Sequence, residues 1–165
     1  MNWLTGGRFA QGEAKRLIAL LSDSTKRDIA ARELIKLGAD AVPALIDGLQ
    51  TQDPSLLLSL QHILARIPAA FPHLIKTLGS AHPILRGRAA EVFSISKDKT
   101  AISALLAALN GEYYTVRSRA ALALGDIGDA RVLPALYPLL KVKDDEVRMA
   151  ACTAIGKFRD PSTFD

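Results

Sequence analysis

The sequence repeats itself with a period of about 31 residues, which lies in the range of known structural repeats, and this restricts the fold more than any other feature. When the segments that end in Leu49, Leu78, Leu109 and Leu140 are aligned, the interval between them is nearly constant. Another leucine stands four residues before each of these positions. An arginine that precedes an alanine pair recurs in a second register with the same spacing. Four such copies are expected to stack as copies of one structural unit.

Each copy contains two helical stretches. In the clearest copy, apolar residues recur at helical spacing up to Ile127, Gly128 is placed to end that helix in a left-handed conformation, and Asp129 is placed to cap the next helix. No segment alternates between apolar and polar residues for long enough to predict a strand. The predicted fold is all-α: an α-solenoid (superhelix) of stacked antiparallel helical hairpins, with roughly four full repeats plus half-repeats at each end.

We predict one domain over residues 1–165. The predicted parts are an N-terminal cap helix in 1–22 covered by Trp3 and Phe9, full repeats in 23–50, 53–79, 81–110 and 112–141, and an incomplete final repeat in 144–165. Pro138 follows Pro134 by four residues and predicts a kinked or short helix in the fourth repeat. The final repeat stops at the helix-start signal Asp160-Pro161. We therefore expect either a piece of a longer repeat protein or a last face that a partner, or end-to-end self-association, completes.

The pattern Val-Arg-x-x-Ala-Ala-x-Ala-Leu-Gly-x-Ile-Gly-Asp, which runs from Val116 to Asp129, points to a family. It resembles the HEAT-like repeats of phycobilisome (PBS) lyase type, a short subclass of the HEAT repeat, and the resemblance extends over about residues 23–160. The resemblance implies an armadillo-like superhelix in which the second helix of each repeat lines a concave face. It leaves the function open, because the same repeat occurs in scaffolds and in bilin lyases.

Little in the sequence predicts chemistry. The histidines His62, His73 and His82 are accompanied by no cysteine pair and no His-Glu dipeptide, so no metal site and no catalytic site are predicted. The single Cys152 excludes an internal disulfide framework, and its place beside an alanine pair predicts a small buried residue. Because no signal peptide and no long apolar run are visible, we expect a cytoplasmic protein that does not contact a membrane.

The net charge of +4 raises the question of nucleic acid. The balance is +1 in residues 1–49, +3 in 50–109 and 0 in 110–165, without a run of basic residues or interleaved aromatics, so nucleic-acid binding is not favoured. The repeated arginines are Arg27, Arg86, Arg117 and Arg148. We expect an inter-repeat ladder in which they pair with a carboxylate such as Asp126 or with backbone carbonyls, and a phosphate-binding stripe is the alternative.

The concave face is the remaining candidate site. Its register makes it polar in the first two repeats and lined by small residues in the last two. The predicted partner-binding residues are Asp47, His73, Lys76, Thr77, Tyr137 and Lys141. In the second repeat, Leu56 and Leu58 predict either denser packing or an exposed apolar patch.

We therefore predict a non-catalytic, cofactor-free scaffold that binds another protein along its concave face. The resemblance implies one alternative, a bilin lyase or lyase-like subunit acting on phycobiliproteins, in which Lys76 and Lys141 would clamp the propionates of a bound bilin. A nucleic-acid-binding solenoid is a second alternative.

Overall fold

The computed structural model describes residues 3–158, with side chains from residue 9 onward, and every regular element in that range is helical. The α-helices are α1 (Trp3–Leu20), α2 (Arg27–Leu37), α3 (Val42–Gly48), α4 (Pro54–Leu64), α5 (Phe71–Leu78), α6 (Pro83–Ser96), α7 (Ile102–Ala108), α8 (Tyr114–Ile127), α9 (Leu133–Leu136) and α10 (Asp145–Lys157). From α2 onward, longer first helices alternate with shorter second helices. The predicted all-α solenoid class is confirmed.

The helices form two compact units, Met1–Leu74 and Ile75–Asp165, and the boundary falls inside α5. In the first unit, α1 packs against α2 and α3, and both of these contact α4. In the second unit, the first helix α8 packs between α6 and α10, while α7 packs on α8 and the turn after α9 packs on α10. The first helices of the second unit therefore form one layer and the second helices another.

Alanine pairs hold this layer of first helices together. The pairs Ala89-Ala90, Ala120-Ala121 and Ala150-Ala151 are buried on α6, α8 and α10. Their small side chains allow the helices to approach closely. At Gly125 on α8, an added Cβ would lie 2.6 Å from the Cα of Ala154 on α10, so the two backbones are close there.

Local signals end and start the helices as the sequence predicts. Gly128 adopts a left-handed conformation with φ of 73° and donates its N–H to the carbonyl of Leu124, which ends α8. Asp129 then accepts a hydrogen bond from the backbone N–H of Arg131, at 3.1 Å, and caps the 3-10 turn that leads into α9. Both predictions are confirmed.

The second helix of the fourth repeat is short. It ends at Leu136, and a 3-10 turn over Tyr137–Lys141 follows. Pro138 lies in this turn and has no N–H to continue the α-helical hydrogen-bond pattern. The prediction from Pro138 is confirmed.

The predicted placements of Phe9 over the cap helix and of Cys152 in the core are wrong, and helix register explains both. Phe9 is 84% exposed, because α1 buries the stripe through Ala14 and Leu17, about one helical position away from Phe9. Cys152 is exposed, because the buried stripe of α10 includes Ala151 and Ala154, and position 152 points away from it. The side chain of Trp3 and the Asp160-Pro161 signal lie outside the described residues.

No helix within residues 3–158 is both long enough and apolar enough to cross a membrane.

Candidate functional site

Three of the repeated arginines bind the loop that precedes their first helix. In α8, Nη1 of Arg117 donates to the carbonyls of Gly111 and Glu112, both at 2.8 Å, and Nη2 pairs with the carboxylate of Asp144. Asp144 lies at the start of α10, in the next copy, so Arg117 also links two copies. The arginine thus combines loop carbonyls with a charge partner.

Two other arginines of the set make related contacts. In α10, Nη1 of Arg148 donates to the carbonyls of Val142 and Lys143, both at 2.8 Å, and Nη2 pairs with Asp145. In α2, Nε of Arg27 donates to the carbonyl of Leu21 at 2.8 Å. Each of these three arginines therefore binds the loop that precedes its own helix.

Arg86 differs from Arg117 in its charge partner. The residue that corresponds to Asp144 one copy earlier is Tyr113. The ring of Tyr113 lies over the guanidinium of Arg86, with 5.5 Å between Cζ and the ring centroid. Two nitrogens of Arg86, Nε and Nη2, are buried without a hydrogen-bond partner. Arg86 therefore carries unpaired donors where Arg117 has a carboxylate.

A pocket of about 300 Å³ opens beside Arg86 in the second unit. Ile75 and Leu78 of α5 form one wall, and small residues of α7, including Ala104 and Ala107, form another. The lining also includes Arg86 itself. The pocket is thus mostly apolar, with a guanidinium at its edge.

Asp126 belongs to a different contact from the one the sequence predicted. Its carboxylate accepts hydrogen bonds from the hydroxyl of Ser94 in α6 and from the ammonium of Lys157 in α10. Asp126 is nine residues after Arg117 on the same helix, a separation of about 13 Å along the axis. It connects three first helices, and its partners are Ser94 and Lys157 rather than an arginine of the ladder.

The predicted partner-binding residues lie on second helices or in the turn after α9, and they do not all fall in one unit. Asp47 (α3) and His73 (α5) are exposed in the first unit. In the second unit, Lys76 is exposed on α5 and Tyr137 and Lys141 are exposed in the turn after α9, while Thr77 is half-buried. Their role in binding stays a prediction.

The apolar positions of α4 are unequally exposed. Leu58 is 55% exposed and borders a hollow of about 250 Å³ between α2 and α4, whereas Leu56 is half-buried. Leu58 is thus the exposed member of the pair that the sequence singled out.

Within the described side chains, no group of three His, Cys, Asp or Glu residues is arranged to hold a metal ion.

The sequence did not lead us to the pocket at Arg86, although one signal for it was available. An alignment of the copies places Tyr113 against Asp144, which shows that one arginine of the ladder lacks the carboxylate that another has. The volume of the pocket depends on how α5 and α7 pack, and this is not readable from the repeat pattern.

Comparison with known families finds a similarity in the C-terminal part of the chain. The family described as HEAT repeats matches residues 102–165. This part of the chain is therefore similar to HEAT repeats. The resemblance predicted from the segment that begins at Val116 is therefore confirmed. No curated protein sequence matches the chain.

Several solved structures of repeat proteins are similar to this chain. The complex of CpcE and CpcF of phycocyanin lyase from Nostoc sp. PCC7120 is 28% identical with a TM-score of 0.58, over 89% of this chain and 65% of that chain. Human deoxyhypusine hydroxylase in complex with glycerol is 22% identical with a TM-score of 0.58, over 72% of this chain and 43% of that chain. A designed armadillo repeat protein in complex with the peptide (KR)4 is 17% identical with a TM-score of 0.53, over 94% and 92%.

The last two similarities show the fold alone. The chain spans less than two thirds of the length of the hydroxylase and of the lyase chain.

Proposed function

We propose that this HEAT-like scaffold is non-catalytic and binds another protein through the surface of its second helices. The observation that carries the proposal is Tyr137, which is 49% exposed although it is a large aromatic residue. Its neighbour Pro138 restrains the backbone of the turn that presents it. Exposed tyrosines on restrained backbone are favourable anchors for a protein interface, because little conformational entropy is lost when they bind.

Charged residues add orientation to this anchor. Lys76 and Lys141 are exposed in the same unit as Tyr137, and a partner with complementary charge would be aligned by them. Two similar structures support a polypeptide as the partner of such a fold: the phycocyanin lyase is a complex of two subunits, and the designed armadillo protein holds a peptide.

The experiment starts from a partner captured on the immobilised chain and identified by mass spectrometry. Tyr137→Ala and Lys76→Glu should each weaken the affinity for that partner about tenfold, which corresponds to about 1.4 kcal/mol, because each removes an exposed contact. Asp47→Lys tests the predicted site of the first unit in the same way. The melting temperature should stay unchanged, since these side chains are outside the core.

Tyr114→Ala is the matched control, because Tyr114 is similarly exposed (47%) but begins a first helix. Undiminished affinity in Tyr137→Ala and Lys76→Glu would contradict the proposal. A loss of folding in these variants would place the residues in the structural interior and would also remove the proposed site.

One similarity favours a second function, that of a subunit of a bilin lyase. The chain is 28% identical to the phycocyanin lyase structure over 89% of its own length. The propionates of a linear tetrapyrrole would then pair with the exposed Lys76 and Lys141. Binding to the chain should change the visible absorbance of an added linear tetrapyrrole, and Lys76→Gln with Lys141→Gln should abolish that change. An unchanged spectrum with the wild-type chain would reject this second function.

A further inference from the structure

We propose that the pocket beside Arg86 receives a glutamate side chain of a partner protein, flanked by small apolar residues. This inference rests on the proposed function, since it names the chemistry of the partner. It adds a site that the sequence did not predict, formed by α5, α6 and α7 of the second unit.

The first step is that Arg86 lacks a carboxylate as its charge partner. Arg117 pairs with Asp144 of the next copy, whereas Arg86 finds Tyr113 at the corresponding position. An aromatic ring attracts a cation but accepts no conventional hydrogen bond from Nε and Nη2. These two nitrogens stay buried and unpaired, which is unfavourable for a charged group. A carboxylate supplied by a partner would take the place that Asp144 has beside Arg117.

The second step is access. Nη2 of Arg86 is next to Gly111, since a Cβ on Gly111 would lie 3.6 Å from it, and Gly111 lines the pocket. The nitrogens are now covered, so the incoming carboxylate has to displace part of this cover. Tyr113 is the part that can turn away, because it is 43% exposed and its side chain does not cap α8.

The third step is the kind of acid. The pocket walls are aliphatic and small, as at Ala104 and Ala107, so they suit the two methylene groups of a glutamate and a neighbouring small side chain. The guanidinium at the edge binds a carboxylate with two parallel hydrogen bonds. The lining includes Ala107, which is exposed on α7, so a residue that protrudes from a protein has access to the pocket.

The test uses two peptides that differ in one group, acetyl-Ala-Ala-Glu-Ala-Ala-amide and its Gln counterpart. Each is titrated into the isotope-labelled full chain and followed by NMR. The Glu peptide should bind about tenfold more tightly, because a charge-assisted hydrogen bond replaces a neutral one. The Nε–H signal of Arg86 and the backbone signal of Gly111 should shift. Equal affinities, or no shift at Arg86 with the Glu peptide, would overturn the inference.

Two variants close the site in different ways. Tyr113→Asp supplies an internal carboxylate, as Asp144 does for Arg117, and should both abolish binding of the Glu peptide and raise the melting temperature. Tyr114→Asp is the matched control, with the same change of charge one residue away, and should retain binding. Ala107→Leu fills the pocket from an exposed position and should abolish binding without loss of folding. Retained binding in Tyr113→Asp or Ala107→Leu would also overturn the inference.

The captured partner separates this inference from the proposed function. If Tyr137→Ala lowers the affinity for the partner and Tyr113→Asp does not, the partner does not use the pocket and the scaffold function stands. If the Glu peptide binds at Arg86 but Tyr137→Ala and Lys76→Glu leave the affinity for the partner unchanged, the proposed surface is wrong. The binding of a glutamate in the pocket then stands.

Discussion

At the scale of single residues, the same repeat position has different surroundings in successive copies. Gly125 and Gly156 occupy equivalent positions in two successive copies, but only Gly125 is in close contact with a neighbouring helix. A Cβ at Gly125 would lie 2.6 Å from the Cα of Ala154, while a Cβ at Gly156 would meet nothing within 4 Å. Identical glycines therefore serve different purposes.

We expect Gly125→Ala to lower the free energy of unfolding by about 1–3 kcal/mol, because α8 and α10 would have to move apart. Gly156→Ala is the control and should raise it by up to about 1 kcal/mol, since alanine favours a helix and the space is open. Urea denaturation followed by circular dichroism measures both. A stable Gly125→Ala variant would show that the two helices can separate without cost.

Asp23 gives the loop before α2 a dependence on pH. Its carboxylate accepts hydrogen bonds from the hydroxyl and the backbone N–H of Thr25 and pairs with Lys26, and these contacts lower the pKa of Asp23 from 3.8 to about 2. A carboxylate whose pKa is lower in the folded state than in the unfolded state stabilises the fold at pH values above its unfolded-state pKa. This contribution is lost as the pH falls through the folded-state pKa.

We therefore expect the stability to decrease between about pH 4 and pH 2 and expect Asp23→Asn to reduce this slope. Denaturation series at several pH values would measure it. Identical slopes in both chains would show that Asp23 does not couple folding to protons.

At the scale of elements, the ends of the first helices differ between copies. Lys97 and Gly128 hold the same repeat position and both end their helices in a left-handed conformation, with φ of 55° and 73°. This conformation is costly for a residue with a Cβ and nearly free for glycine.

Lys97→Gly should therefore raise the free energy of unfolding by about 1 kcal/mol, and Gly128→Ala should lower it by a similar amount. Thermal and urea denaturation of the two variants would measure the opposite changes. The same sign in both would mean that backbone strain does not decide the stability of these helix ends.

At the scale of the whole molecule, a repeat protein is stabilised by contacts between adjacent copies. In the second unit, Asp126 joins three first helices through Ser94 and Lys157. We expect Asp126→Asn to lower the free energy of unfolding by about 1–2 kcal/mol, because two donors lose a charged acceptor.

Asp145→Asn is the control for this prediction. Asp145 pairs with Arg148 within one helix and its side chain is 83% exposed, so its loss should change stability by less than about 0.5 kcal/mol. Equal effects of the two variants in urea denaturation would reject a special role for the contact at Asp126.

The parts of the fold that depend on short stretches of sequence were predictable. Gly128, Asp129 and Pro138 act within a few residues, and each ended or started a helix as expected. Burial that depends on the register of a helix was harder to predict from the sequence. A shift of one position along α10 separates the exposed Cys152 from the buried Ala151.

The pocket beside Arg86 depends on positions that are far apart in the sequence. Its unpaired nitrogens result from the residue at the start of the next copy, Tyr113, and its volume from the packing of α5 and α7. A periodic pattern describes what the copies share, whereas this site arises where they differ.

The contact between Gly125 and Ala154 has a consequence for the history and the engineering of such chains. The position of Gly125 holds Ser94 in the preceding copy and Gly156 in the following one. A design that copied the serine of the preceding copy to all three would place a side chain where Ala154 leaves no room. Copies of this protein are therefore not interchangeable modules, and a duplication that inserted a new copy after α8 would have to bring the glycine and its alanine partner together.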